Sequence, residues 1–148
     1  MIIEERYEYE QKKNVEVVAA IIVKDGKVLA TQRGYGEFKG KWEFPGGKIE
    51  KDEFEEPALT REIKEELNAD INIIDYLKTI QYDYPKFHLI MHTYICTLKN
   101  DIEFVKHNEN ELEHENMVWL DKTELNSLDW LPADIEAVKE YKHLRRIA

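Results

Sequence analysis

Leu59, Ile63 and Leu67 recur at i, i+4 and i+8, and this apolar stripe constrains the fold more than any other stretch of the chain. It predicts a helix from Glu55 to Leu67 with one buried side. Glu62, Glu65 and Glu66, related by i+3 and i+4 spacings, fall together on the opposite face of that helix. Like charges so spaced repel by about a few tenths of a kcal/mol per pair, so they need open solvent or a compensating cation. One reading is a solvated acidic face with an Arg61 to Glu65 salt bridge. The other is set by what lies upstream. Pro45-Gly46-Gly47 reads as a turn whose glycines permit unusual backbone angles and close ligand approach, and Glu53 follows it. A permissive loop and a carboxylate face can jointly surround a hard cation. Magnesium binds through a few carboxylates, waters and substrate phosphates, which points to phosphate-chain chemistry with a second Glu taking the proton of an activated water.

The rest of the chain supplies a scaffold for such a helix. At 148 residues and 43% hydrophobic, the sequence predicts one domain with its own core. Met1 to Asn14 reads as a polar extension and residues 15–148 as the domain. Val15 to Val23 and Val28 to Gln32 read as strands joined by a Lys24-Asp25-Gly26-Lys27 hairpin turn. Gly34 to Gly40 is a loop, and Trp42 to Phe44 a short strand. Ile71 to Tyr84, His88 to Leu98 and Met117 to Leu120 follow as further strands. Ile135, Val138, Tyr141 and Leu144 mark a terminal helix that Pro132 can start. Strands grouped around few helices favour an α+β sandwich over a doubly wound sheet.

Composition excludes several classes. A net charge of −10 repels polyanions, so duplex nucleic acid is not an expected partner, whereas a small triphosphate can bind beside divalent cations and a few basic residues. No run is apolar enough for a membrane helix and the charged N-terminus lacks a signal-peptide core, so a soluble, cytoplasmic protein is expected, as monomer or homodimer. The single Cys96 lies in an apolar run and reads as a buried structural thiol. His88 and His92, four apart on a strand, are too distant for joint metal ligation and read as structural or pocket-lining. Trp42, Trp119 and Trp130 read as core or wall residues. Phe44 and Tyr84 are the better candidates for the walls of a nucleobase pocket.

The segment from Gly47 to Ala69, GKIEKDEFEEPALTREIKEELNA, resembles the Nudix box, with Gly47, Glu53, Arg61, Glu62, Ile63, Glu65 and Glu66 all matching. Asn68 stands where that family has Gly, and Ala69 where it has a bulkier aliphatic residue. Asn is the next choice for a left-handed helix cap. The resemblance covers most of Val15 to Leu144, including WEFPGGKIE, Glu113 ahead of Trp119, and Leu131-Pro132-Ala133-Asp134, and it is similar to the MutT-like branch. It implies an α/β/α sandwich with a mixed sheet, and Mg2+-dependent (or Mn2+-dependent) hydrolysis of a nucleoside triphosphate to the monophosphate and pyrophosphate, in nucleotide-pool sanitation. It also implies that the Gly46 carbonyl, Glu65, Glu66 and Glu113 hold metal, and that Glu62 binds metal or acts as base with Glu53 as its rival. Arg61 would pair with Glu53. Arg33 and Lys48 would meet phosphates or else be plain exposed basic side chains. Asp134 would read the base or else cap the terminal helix. As an ionised acceptor it favours cytidine triphosphates, modified deoxycytidine forms included; protonated, it serves 8-oxo-dGTP. Some relatives of this kind are inactive binding modules, but those usually lose box carboxylates, and all four are present here.

Overall fold

The run VEVVAAIIV makes a strand that is buried on both faces, and the rest of the sheet assembles around it. In the computed structural model, which describes residues 12–102 and 114–144, this strand is β1 (Lys13–Lys24). It is followed by β2 (Lys27–Arg33), β3 (Trp42–Glu43), β4 (Gly46–Lys48), helix α1 (Glu55–Leu67), β5 (Ile71–Asp83), β6 (Phe87–Leu98), β7 (His114–Leu120), a 3-10 turn (Leu125–Ser127) and helix α2 (Pro132–Leu144). β1 runs parallel to β6 from Lys13↔Phe87 to Ile22↔Cys96, and β5 closes that side antiparallel. Its other edge is shared, first by β4 at Val17–Ala19 and then by β2 at the hairpin. β2 pairs in turn with β3 and β7. The sheet is therefore mixed, as the resemblance implied.

Alternation along β1 divides the interior into two layers. Val18, Ala20 and Ile22 pack with Ala58, Leu59, Ile63 and Leu67 of α1. Ala19 and Ile21 face Ala137, Val138 and Tyr141 of α2, together with Leu125 and Trp130. A strand covered on both sides needs a near-continuous apolar run rather than strict alternation, which is what VVAAII supplies. Helix, sheet and helix give the expected sandwich. Trp42, Trp119 and Trp130 all join these two cores.

Local chemistry fixes the punctuation. Asp25 (φ 50°) and Gly26 (φ 75°) both adopt left-handed angles, the pattern of a tight two-residue hairpin turn. Asn68 ends α1 in the left-handed region (φ 50°, ψ 38°), with its amide donating to the Lys64 carbonyl at 3.0 Å, so it does the work of the family's glycine. Pro45-Gly46-Gly47 differs from expectation. Gly46 and Gly47 are not a turn and take no positive φ; they form β4. They are needed for close approach instead. A Cβ on Gly46 would lie 1.9 Å from the Val18 carbonyl oxygen, and one on Gly47 2.2 Å from a carboxylate oxygen of Glu62. No helix among the described residues is long and apolar enough to cross a membrane.

The obstacle at Gly46 is backbone, which cannot swing aside. Gly46→Ala is therefore expected to lower the unfolding free energy by at least about 2 kcal/mol, measured by chemical denaturation. A midpoint equal to wild type would show that β4 can shift away from β1.

Candidate active site

The loop from Ile49 to Phe54 is gathered onto α1 by one guanidinium. Arg61 Nε and Nη2 each donate to a Glu53 oxygen at 2.8 Å, a bidentate pair. Glu53 also accepts the Glu50 amide at 3.0 Å, which folds the loop on itself. These hydrogen bonds, Arg61's above all, hold the Glu53 carboxyl down at about 2. Arg61 Nη1 reaches Glu62 at 2.9 Å and Glu65 at 3.2 Å, and Nη2 donates to the Lys48 carbonyl at 3.1 Å. The Arg61 to Glu65 bridge of the solvated-face reading is thus present, as one contact in a wider network.

The carboxylates of α1 differ in exposure. Glu62, 15% exposed, lies in the space left by the missing Gly47 side chain, while Glu65 is 59% exposed. Glu66 is half-buried. Among the described residues, no three His, Cys, Asp or Glu side chains converge into a ready-made metal cage. Glu113, expected to add a ligand from a loop, lies outside the described residues. Glu62, Glu65 and Glu66 nevertheless offer hard oxygen donors beside a glycine backbone, and Glu62 and Glu65 already converge on a cation, the Arg61 guanidinium. That donor set fits magnesium, whose shell is largely completed by water and substrate oxygens.

A cavity of about 130 Å³ adjoins the helix through Gly46 and Gly47. Arg33, Glu43, Phe44, Tyr84 and Asp134 also line it, so the three residues expected to meet a base stand together. Phe44 is buried against Trp130 at 4.8 Å between ring centres. Tyr84 stacks on Phe87 at 5.0 Å and meets Phe38 edge-on at 5.4 Å. Its hydroxyl accepts the Ala133 amide at 3.3 Å, and burial pushes its pKa up to about 12.

Asp134 does not cap α2. The helix starts at Pro132, so Asp134 is its third residue, and its side chain leaves the helix to accept the Phe44 amide at 2.9 Å. At 4% exposure it is among the few buried charged residues. Burial, and then the nearby Glu43 charge, raise its carboxyl well above the ordinary value, while the Phe44 amide and the Arg33 charge pull the other way.

Arg33 is not a free exposed side chain. Its Nε and Nη2 donate to the two oxygens of Glu43 at 3.0 and 2.9 Å. Lys48 is exposed, and only its carbonyl has a role in the Arg61 network. Glu43 and Phe38 line the cavity although sequence reasoning did not single them out. Glu43 sits inside the WEFPGG match, whereas Phe38 lies in a loop with no periodic signal.

The remaining candidates lie elsewhere. His92 Nε2 is 2.6 Å from Glu16 and Nδ1 is 2.7 Å from Thr79, while His88 contacts Gln81 at 2.8 Å, so each has its own partners. Cys96 is buried, with its thiol pushed up to about 12, which leaves it unreactive at neutral pH.

The sequence pattern of the NUDIX domain matches residues 12–141. A CTP pyrophosphohydrolase of Escherichia coli K12 is 34% identical over 134 residues, 90% of this chain and 95% of the relative. An 8-oxo-dGTP diphosphatase of Proteus vulgaris is 36% identical over 94 residues, 62% of this chain and 84% of the relative. The solution structure of a MutT protein of the Nudix hydrolase family from methicillin-resistant Staphylococcus aureus 252 superposes with a TM-score of 0.67 at 40% identity, covering 88% of this chain and 96% of that one. Sequence pattern, relatives and fold agree, and the chain belongs to the Nudix hydrolase family.

Proposed function

We propose that this chain hydrolyses a nucleoside or deoxynucleoside triphosphate to the monophosphate and pyrophosphate, with magnesium, as a nucleotide-pool sanitising enzyme. The observation that carries the reading is the junction at Gly46–Gly47, where the helix that bears the carboxylates adjoins a cavity lined by Phe44, Tyr84 and Asp134. A triphosphate seated with its base against Phe44 and Asp134 runs its phosphate chain toward Glu62, Glu65 and Glu66.

In this reading the Gly46 carbonyl, Glu65 and Glu66 hold the metal, joined by Glu113. A bound divalent ion supplies charge neutralisation for the phosphate chain and acidifies a coordinated water. Glu62 is the better base. It lies against Gly47 beside the cavity, whereas Glu53 is held in a bidentate pair and its depressed pKa makes it a weak proton acceptor. Glu53 and Arg61 then position the loop. Lys48 meets phosphate oxygens. Arg33, its guanidinium taken up by Glu43, belongs with Glu43 to the base cavity.

Base choice turns on Asp134. Burial favours its neutral form, which replaces the expectation that an ionised acceptor selects cytosine: with one oxygen accepting the Phe44 amide, the protonated carboxyl offers a base a hydroxyl as well as an acceptor. Cytosine, with a ring acceptor beside an amino donor, matches that pair. The CTP pyrophosphohydrolase relative, aligned over 90% of this chain, supports ranking cytidine triphosphates first. 8-Oxo-dGTP is the second reading, favoured because a hydroxyl donor also suits a guanine carbonyl.

Hydrolysis is expected to stop in EDTA, to return with Mg2+ or Mn2+, and to yield pyrophosphate. Glu65→Gln and Glu66→Gln should each lower kcat by at least about 100-fold at unchanged melting temperature. Release of phosphate alone, or folded mutants with near wild-type turnover, would contradict the assignment.

Glu62→Gln should depress kcat more than Glu53→Gln, whose main loss is in stability. Glu53 ionises lower in the folded chain than its ordinary value of 4.5, so its stabilisation is complete above that pH and lost as pH falls through about 2. The melting-temperature gap between wild type and Glu53→Gln should therefore be full at neutral pH and close on acidification. A gap that widens toward acid would refute the pairing.

Steady-state kcat/KM for CTP, dCTP, 5-methyl-dCTP, dGTP and 8-oxo-dGTP tests Asp134. Asp134→Asn, which keeps a donor and an acceptor, should hold the wild-type order of bases. Asp134→Ala should compress the differences between bases by about 10-fold or more. Equal losses on every base would leave Asp134 a structural tie between α2 and Phe44.

A further inference from the structure

The network around Arg61 holds more negative charge than one guanidinium can balance. Glu50, Glu53, Glu62 and Glu65 all lie within ion-pair reach of it. The four contacts are unequal. Glu53 takes two hydrogen bonds of 2.8 Å and Glu62 is pinned against Gly47, whereas Glu65 is 59% exposed and contacts Nη1 alone at 3.2 Å, and Glu50 stands off at 3.7 Å. Nη1 thus bridges the carboxylates of Glu62 and Glu65.

We infer that Arg61 is the built-in counter-ion of the carboxylate helix, which a divalent cation displaces from Glu65 while Glu53 keeps the guanidinium anchored in place. The inference rests on the reading of α1 as the metal-binding helix. Without metal, Nη1 keeps Glu62 and Glu65 close despite their repulsion, so the ligands are prearranged. With metal, Glu65 is the carboxylate free to turn, because solvent already reaches it and its single contact is the longest hydrogen bond that Arg61 makes. The guanidinium has no reason to leave, since its bidentate bond to Glu53 and its bond to the Lys48 carbonyl lie on the far side from Glu65. The same residue therefore organises the site and competes for one of its ligands. This sets metal affinity lower than the carboxylates alone would give.

Mn2+ affinity measured calorimetrically on the full chain tests the exchange. Arg61→Gln should bind Mn2+ about two- to fivefold more tightly than wild type, the range expected for losing one exposed ion-pair competitor. Arg61→Lys, which keeps the charge, should return affinity toward wild type. An Arg61→Gln affinity equal to or weaker than wild type overturns the inference and leaves Arg61 an orienting residue only. A failure of the underlying metal reading is distinct: wild type would then bind Mn2+ no better than Glu65→Gln does. If Arg61→Gln does not fold, the wild-type chain still decides the matter. Guanidinium 15N signals of Arg61 followed through a Mg2+ titration should shift at Nη while Nε, held by Glu53, stays put. Unchanged Nη signals at saturation overturn the exchange.

Discussion

A backbone contact with no room for a methyl group governs the geometry of this molecule. Where β4 crosses β1, Gly46 lies so close to the Val18 carbonyl that any side chain would have to displace the central strand. That contact sets the position of Gly47, and Gly47 in turn leaves the space that the Glu62 carboxylate fills. The carboxylate helix is thereby indexed to the central strand of the sheet. Its other face is held by Ala58, Leu59, Ile63 and Leu67 against Val18, Ala20 and Ile22 of the same strand. Protein interiors are close-packed and resist small displacements, so a site registered this way inherits the rigidity of the core.

Two groups of acidic residues stand on either side of that junction and are treated oppositely by their surroundings. Glu53, hydrogen-bonded by Arg61 and by a backbone amide, is kept ionised far into acid. Asp134, sealed under Phe44 and beside a second carboxylate, is pushed toward its neutral form. One chain with a net charge of −10 thus maintains a charged ledge and a nearly neutral cavity in contact with each other. In the proposed function the first takes cations and phosphates, and the second a planar base that carries no charge. Environment rather than residue type makes that division.

Much of this was legible in the sequence because it rests on local rules. The span of α1 follows from the spacing of Leu59, Ile63 and Leu67, the hairpin from Asp25-Gly26, and the end of α1 from the tolerance of Asn68 for a left-handed backbone. The α+β sandwich followed from the order of strands and helices, and its mixed sheet from the family resemblance. What escaped depends on partners distant in sequence. β4 has two glycines and so no side-chain alternation to reveal it. Asp134 near the start of a helix looks like a cap, and only the tertiary fold shows that its partner is the amide of Phe44. Arg33 and Glu43 lie on neighbouring strands of the β2–β3 pair, so their mutual neutralisation depends on register, and Phe38 enters the cavity from a loop.

The two edges of β1 also imply an order of assembly. At its C-terminal end the strand turns directly into β2, a contact that closes with almost no loss of chain freedom. Along most of its length it is bonded in parallel to β6, which the ribosome delivers only after α1 and β5 have been made. Pairings between distant segments must overcome the entropy of closing a long loop before they yield any stabilisation, and parallel ones form slowly for that reason. During that interval the apolar run of β1 has a bare edge, the feature through which nascent strands find wrong partners. The strand that makes the site rigid once folded is thus also the one most exposed to misassociation while the chain is being synthesised.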